Sequence, residues 1–177
     1  MFEFDSPRTS LSGKSDDVLL SSGLFKISLL SDSLVVFSIP HNNIPKCAWW
    51  LVREFCMRRT PSSFSLLLGD EDGLSVVCNS TSYSTLQLLV HPQDVVRCEN
   101  LWRAVVIEIS TQSDELPNTV YTLVNALSSK GVSILHISTF ESEVFLVQEK
   151  DLSLTCEVLK AFEQMPPPQS YPHSLSY

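Results

Sequence analysis

The sequence predicts an α+β fold of two similar units, each opening strand, helix, strand, strand, with antiparallel sheets and helices on one face. Three features carry that prediction. Apolar, β-branched runs of strand length recur along the chain, bounded by Gly, Pro, Asn, Asp and Ser. Between them, segments with apolar residues at helical spacing have recognisable starts and stops. The clearest arrangement is GVSILHISTFESEVFLVQEK, residues 131–150, which reads as two antiparallel strands, 132–139 and 143–148. A polar turn of Phe140, Glu141, Ser142 and Glu143 joins them, with one amphipathic helix before the hairpin and another behind it.

Composition narrows the function. With 44% hydrophobic residues, the 177-residue chain has material for a core in one ordinary domain or two small ones. Its 12 basic and 20 acidic residues leave a net charge of −8, which disfavours nucleic acid and anionic membranes, since clustered Lys and Arg hold both. Arg58 and Arg59 form the one adjacent basic pair. No apolar run approaches the ~20 residues that cross a bilayer. The N-terminus, MFEFDSPRTS, has no basic region leading into an apolar stretch, so the expected location is the cytoplasm. Cys47, Cys56, Cys78, Cys98 and Cys156 are odd in number and lack a C-x-x-C pair, and read as free, buried thiols. His41, His91, His136 and His173 stand at no metal-ligand spacing, and His136 reads as a strand residue at a packed edge. No G-x-S-x-G, P-loop or G-x-G-x-x-G occurs, and the chain reads as a non-enzyme.

Taken in order, residues 1–22 read as a disordered leader rich in Ser and Asp. Residues 24–39, LFKISLL and LVVFSI around a turn at 31–33, read as a hairpin or one bulged strand ended by Pro40. Asn43 is a candidate N-cap with Pro45 in the first turn, and Ile44, Ala48, Leu51, Val52 and Phe55 follow at helical spacing until Pro61. Of Trp49 and Trp50, one must point away from its own sheet, which makes this pair a candidate interface. Gly69-Asp-Glu-Asp-Gly73 joins strands at 64–68 and 74–78. Together these form the first unit, residues 24–97. Residues 79–98, dominated at first by Ser and Thr, read as the crossing between units. Asn79-Ser80-Thr81 matches a glycosylation sequon, with no glycan expected.

The second unit, residues 98–165, opens with Val105, Ile107 and Ile109 alternating with Ala104, Val106 and Glu108. After a polar segment at 110–115, Val120, Leu123, Val124 and Leu127 stand at i, i+3, i+4 and i+7, with Pro117 in the first turn and Gly131 at a left-handed end. Behind the hairpin, Asp151 caps a last helix carrying Leu152, Cys156, Leu159 and Phe162. Pro166, Pro167 and Pro168 stop it, and residues 166–177 read as a disordered tail. From the residues alone, Glu141 and Glu143 are either a solvated turn or a carboxylate for a cationic ligand. Asp114 and Glu115 are either helix-start charges or ligand contacts.

VSILHISTFESEVFLVQEKDL, residues 132–152, resembles the ACT signature of the cytosolic arginine sensors of the TOR pathway, the CASTOR family. A strand ends in Ser138-Thr139, an aromatic and an acid follow, and a second strand leads through an acidic-basic turn to Asp151-Leu152. Residues 33–45, the helix from Ala48 and the Asp70-Glu71 hairpin follow the order of that family's first unit, so the resemblance covers about residues 24–164. It implies two tandem ACT-like (ferredoxin-like, βαββαβ) units, half of the family's four. It also implies a non-catalytic amino-acid binder, arginine favoured, with no other cofactor. Carried over by position, the family's Ser-Val pair at the second unit's helix falls on Thr122 and Leu123, and its ligand-binding acid on Glu143. Asp114, in the segment before that helix, and Glu141 complete the expected ligand set. The implied partners are a second copy or a longer relative in a dimer, and a GATOR-type complex upstream of TOR. Two other roles stay open, a ligand-free adaptor for a longer sensor and a trans-acting regulatory subunit of an amino-acid biosynthetic enzyme.

Overall fold

A computed structural model of the chain describes residues 17–21, 25–57, 64–109, 116–139 and 142–163. The expected tail, Pro61, the Arg58-Arg59 pair and most of the expected leader lie outside these residues. The chain divides into two compact units, one formed by Leu30–Leu101 and the other by Val18–Leu29 together with the chain from Trp102 onward.

In the first unit, β3 (Leu34–Pro40) leads into α1 (Ile44–Val52), then β4 (Leu66–Gly69), β5 (Gly73–Asn79), α2 (Ser80–Gln87) and β6 (Val96–Arg97). β3 pairs antiparallel with β5 on one side and β6 on the other, and β5 pairs with β4, so the strand order is β6-β3-β5-β4. One sheet face carries Val35, Phe37, Ile39, Val76 and Cys78 into a core closed by Cys47, Trp50 and Leu51 from α1 and Tyr83 and Leu86 from α2. Burying each large apolar side chain there stabilises the fold by about 1.5–3 kcal/mol.

The buried stripe of α1 is rotated from the expected one. Cys47, Trp50 and Leu51 are buried, continuing to Glu54 in a wide π-type turn at Arg53–Met57, while Ala48 and Val52 are exposed. The Trp50 indole decides this. It is 1% exposed, packs edge-on against Phe37 and donates its N–H to the Ser82 carbonyl oxygen at 3.1 Å. Its neighbour Trp49 is 62% exposed, so the tryptophan pair does split between core and surface.

The turn between β4 and β5 forms as its two glycines suggest. The Asp70 carboxylate accepts from the N–H groups of Asp72 and Gly73. Gly73 has φ of +151°, and a Cβ there would lie 2.2 Å from the Ile39 carbonyl oxygen. Residues 79–98 are not a crossing between units: they supply the first unit's second helix and fourth strand. The Asn79 side chain of the sequon caps α2 by accepting from the Ser82 N–H at 2.8 Å.

The second unit takes its outer strands from the start of the chain. β1 (Asp17–Ser21) and β2 (Phe25–Leu29) precede the first unit, and β7 (Trp102–Ile109), α3 (Leu116–Ser129), β8 (Ile134–Ser138), β9 (Ser142–Gln148) and α4 (Leu152–Glu163) follow it. The order is β1-β2-β7-β9-β8, antiparallel from β2 to β8. Two expectations are corrected by this. Residues 17–21 are a strand, not leader, and β2 forms no hairpin with β3: it pairs with β7, Ile27 opposite Ile107 and Leu29 opposite Val105. Adjacency in sequence favoured the hairpin, whereas the ladder to β7 buries Ile27 and Leu29 and pairs Lys26 with Glu108 at 3.2 Å. The first unit therefore begins after Leu29 and is inserted within the second.

One face of this sheet packs Ile27, Leu29, Val105, Ile107, Phe145 and Val147 against Leu123 and Leu127 of α3 and Val158 and Leu159 of α4. Gly131 ends α3 at φ of +78°, with its N–H on the Ser128 carbonyl oxygen and the Val132 N–H on that of Leu127. That is the expected left-handed stop. Among the described residues, no helix is long and apolar enough to cross a membrane.

Candidate ligand site in the second unit

The register of β8 and β9 places four side chains on the helix-covered face, His136 opposite Phe145 and Ser138 opposite Glu143. Phe145 belongs to the core, and the polar members continue the same face past it toward the turn. Glu143 accepts twice. Its Oε1 takes the Ser138 hydroxyl at 2.9 Å and its Oε2 meets His136 Nε2 at 2.7 Å. The His136 ring stacks on Phe145 with centroids 4.8 Å apart and planes at 26°. Beside them, the Thr139 N–H donates to the Ser142 carbonyl oxygen, and the Ser142 N–H donates back to Thr139 Oγ1. These bonds fix the strand ends at the turn.

An ionised carboxylate only accepts, so His136 donates through Nε2, and in the neutral ring Nδ1 is left as an acceptor. Glu143 lies between Ser138 and His136, so the hydroxyl points at the acid and not at the imidazole. A nucleophilic serine needs the reverse order, with the imidazole in the middle. The arrangement is thus suited to holding a hydrogen-bonding ligand rather than to acyl transfer.

Of the residues expected to bind ligand, Glu143 is in this cluster, in strand β9, whose start takes in Ser142 as well. Leu123 is fully buried among Phe145, Val158 and Leu159, so its side chain is core and that expectation is corrected. Thr122, its neighbour on α3, is half-buried. Asp114 and Glu141 lie outside the described residues. Sequence reading set His136 down as a strand residue at a packed edge and gave Ser138 no ligand role. Two-residue alternation along β8 sets both on one face, and the register with β9 makes it the face of Glu143.

The first unit has the same frame without the chemistry. Leu67 pairs with Val76 and Gly69 with Leu74, so Leu67, Gly69, Leu74 and Val76 stand where His136, Ser138, Glu143 and Phe145 stand in the second. At the entry to α1, Asp94 is already engaged by the Lys46 ammonium, while the Asn43 amide donates to its carbonyl oxygen and the His91 N–H to its carboxylate. The Lys46 hydrogen bond holds Asp94 below the usual carboxylate range. Burial pushes the neighbouring Cys47 thiol up, and the Asp94 charge adds to this. All five cysteines are free, and Cys56 and Cys98 are exposed, against the expectation of burial. Among the described residues, no group of His, Cys, Asp and Glu is arranged to hold a metal ion.

A ferredoxin-type frame with helices on one face, βαββαβ in the first unit and βαββα with β2 beside β7 in place of a closing strand in the second, is an ACT-like fold. The ACT domain family model matches residues 97–161, which hold β7, α3, β8, β9 and most of α4. No curated protein matches the sequence. Among solved structures, a protein from Agrobacterium tumefaciens is 21% identical, with a TM-score of 0.54 over 76% of this chain and 86% of that one. A possible transport protein from Vibrio cholerae aligns at a TM-score of 0.56 and 13% identity, over 79% and 91% of the two chains. The ligand-free regulatory subunit of aspartate kinase from Thermus thermophilus aligns at a TM-score of 0.53 and 9% identity, over 76% and 95%. At such identities the likeness is one of fold.

Proposed function

We propose that the chain is a non-catalytic regulatory protein that binds a small amino-acid ligand in its second unit and acts in trans on a partner protein. The partner class favoured is an enzyme of amino-acid biosynthesis. The observation that carries this reading is the His136, Ser138 and Glu143 cluster, a hydrogen-bonded polar group on the sheet face that also carries the core, within the segment that matches the ACT domain. Likeness of fold to the regulatory subunit of an aspartate kinase supports a role in trans. Ligand binding would act on the partner through a difference in affinity between two states of the chain. Trp49 is the candidate contact for a partner or a second copy, being a large exposed aromatic on a helix. The proposed location is the cytoplasm.

The second reading is an arginine sensor with a GATOR-type partner. The Ser138-Thr139 strand end and the acid Glu143 favour it. Thermal-shift measurement of the full chain with each of the twenty amino acids separates the two. A rise in melting temperature with one or a few amino acids supports ligand regulation, and a response to arginine alone supports the sensor. No response to any of them overturns amino-acid binding.

A further inference from the structure

We propose that each chain holds a single ligand, in the second unit, and that His136 selects it by accepting a hydrogen bond from a positively charged N–H group of the ligand. This rests on the amino-acid-binding reading above and names the group that does the recognising. Glu143 is the residue that sequence reasoning would choose, but both its oxygens already accept hydrogen bonds within the hairpin, and its side chain is only 14% exposed. It acts as a positioning residue. His136 is 39% exposed, its ring plane is set by Phe145 and its Nε2 by Glu143. Among the described residues, Nδ1 has no partner, so in the neutral ring it stands as an oriented acceptor beside the Glu143 carboxylate. A cationic N–H donor is attracted by both, whereas a carboxylate at the same place is repelled by Glu143.

The first unit shows why the count is one. Its counterparts of the three polar residues are Leu67, Gly69 and Leu74, none of which offers a polar side chain. Lys46, the cation at the entry to α1, is already paired with Asp94. An incoming carboxylate would have to displace an internal one.

Titration calorimetry of the full chain with each of the twenty amino acids tests this. The proteins are wild type, His136→Leu, His136→Asn and Glu143→Gln. The amino acid that binds wild type is expected to do so with one site per chain. His136→Leu should weaken it by about tenfold or more, the size of one charge-assisted hydrogen bond. His136→Asn should keep most of the affinity, because its amide oxygen reaches the position of Nδ1, and Glu143→Gln should lose less than His136→Leu. Leucine is what the first unit carries at this position, so the fold should tolerate it, which a melting curve checks. Two sites per chain, wild-type affinity in His136→Leu, or a greater loss in Glu143→Gln would each overturn the proposal while leaving amino-acid binding intact. Absence of binding to wild type is a different outcome, and removes the underlying reading and this inference together.

Discussion

The two hairpins of the molecule, β4–β5 and β8–β9, share a register and differ in what they put on it. In the first unit the face toward the turn is Leu67, Gly69 and Leu74, and in the second it is His136, Ser138 and Glu143. In the second unit the trio is tied together by two hydrogen bonds and a ring stack, with His136 and Ser138 exposed. The first unit has two leucines and a glycine there. The difference teaches that one frame can carry either packing residues or a hydrogen-bonded polar cluster at the same register positions.

The comparison breaks most visibly at the N-terminus. Deleting residues 1–29 should unfold the second unit while the first stays folded, because the deletion removes Ile27 and Leu29 from the second unit's core only. Truncating one such side chain typically costs about 2–5 kcal/mol, against a whole-domain stability of about 5–15. Hydrogen exchange should show protection lost in β7 and β9 and kept in β3 and β5, and equal loss in both sheets would contradict two separate units.

The glycines sharpen the contrast on a smaller scale. Gly73→Ala should cost about 3 kcal/mol or more, since the strained backbone adds to a clash with the Ile39 carbonyl. Gly131→Ala, with nothing within 4 Å of its new Cβ, should cost about 1 kcal/mol. Urea denaturation measures both.

The smallest effect is electrostatic and belongs to the first unit. Asp94 is held below its unfolded pKa by the Lys46 hydrogen bond, so its contribution to stability is present above the unfolded pKa and lost as pH falls through the folded one. Acidification should therefore lower the urea midpoint of the first unit, and Asp94→Asn should flatten that dependence. A Trp102→Phe background makes the fluorescence report Trp49 and Trp50 alone. An unchanged slope would mean that another carboxylate governs the acid limb.

Local signals made part of this fold legible. Val120, Leu123, Val124 and Leu127 with Gly131 announced α3, and Gly69 and Gly73 announced the first hairpin. Where the signal was weak or distant, the reading failed. Helix α2 has only Tyr83 and Leu86 as large buried apolar residues in a Ser/Thr-rich stretch, so the Asn79 cap was its main trace. The partner of β2 lies far along the chain, and periodicity records which face of a strand is buried, not which strand lies beside it. The site was half legible for the same reason. An acid in a hairpin attracts attention by its charge. The side chains that engage it emerge only when the opposing strand's register is known.

Insertion of the first unit within the second has a consequence for synthesis on the ribosome. β2 leaves the exit tunnel long before β7, the strand whose backbone it must bond. The inserted unit can complete its own sheet in that interval, since domains tend to fold as units while translation continues. An early segment, with Ile27 and Leu29 still bare, must wait through the making of an entire neighbour. That interval is when the nascent chain is most exposed to chaperones and to wrong partners.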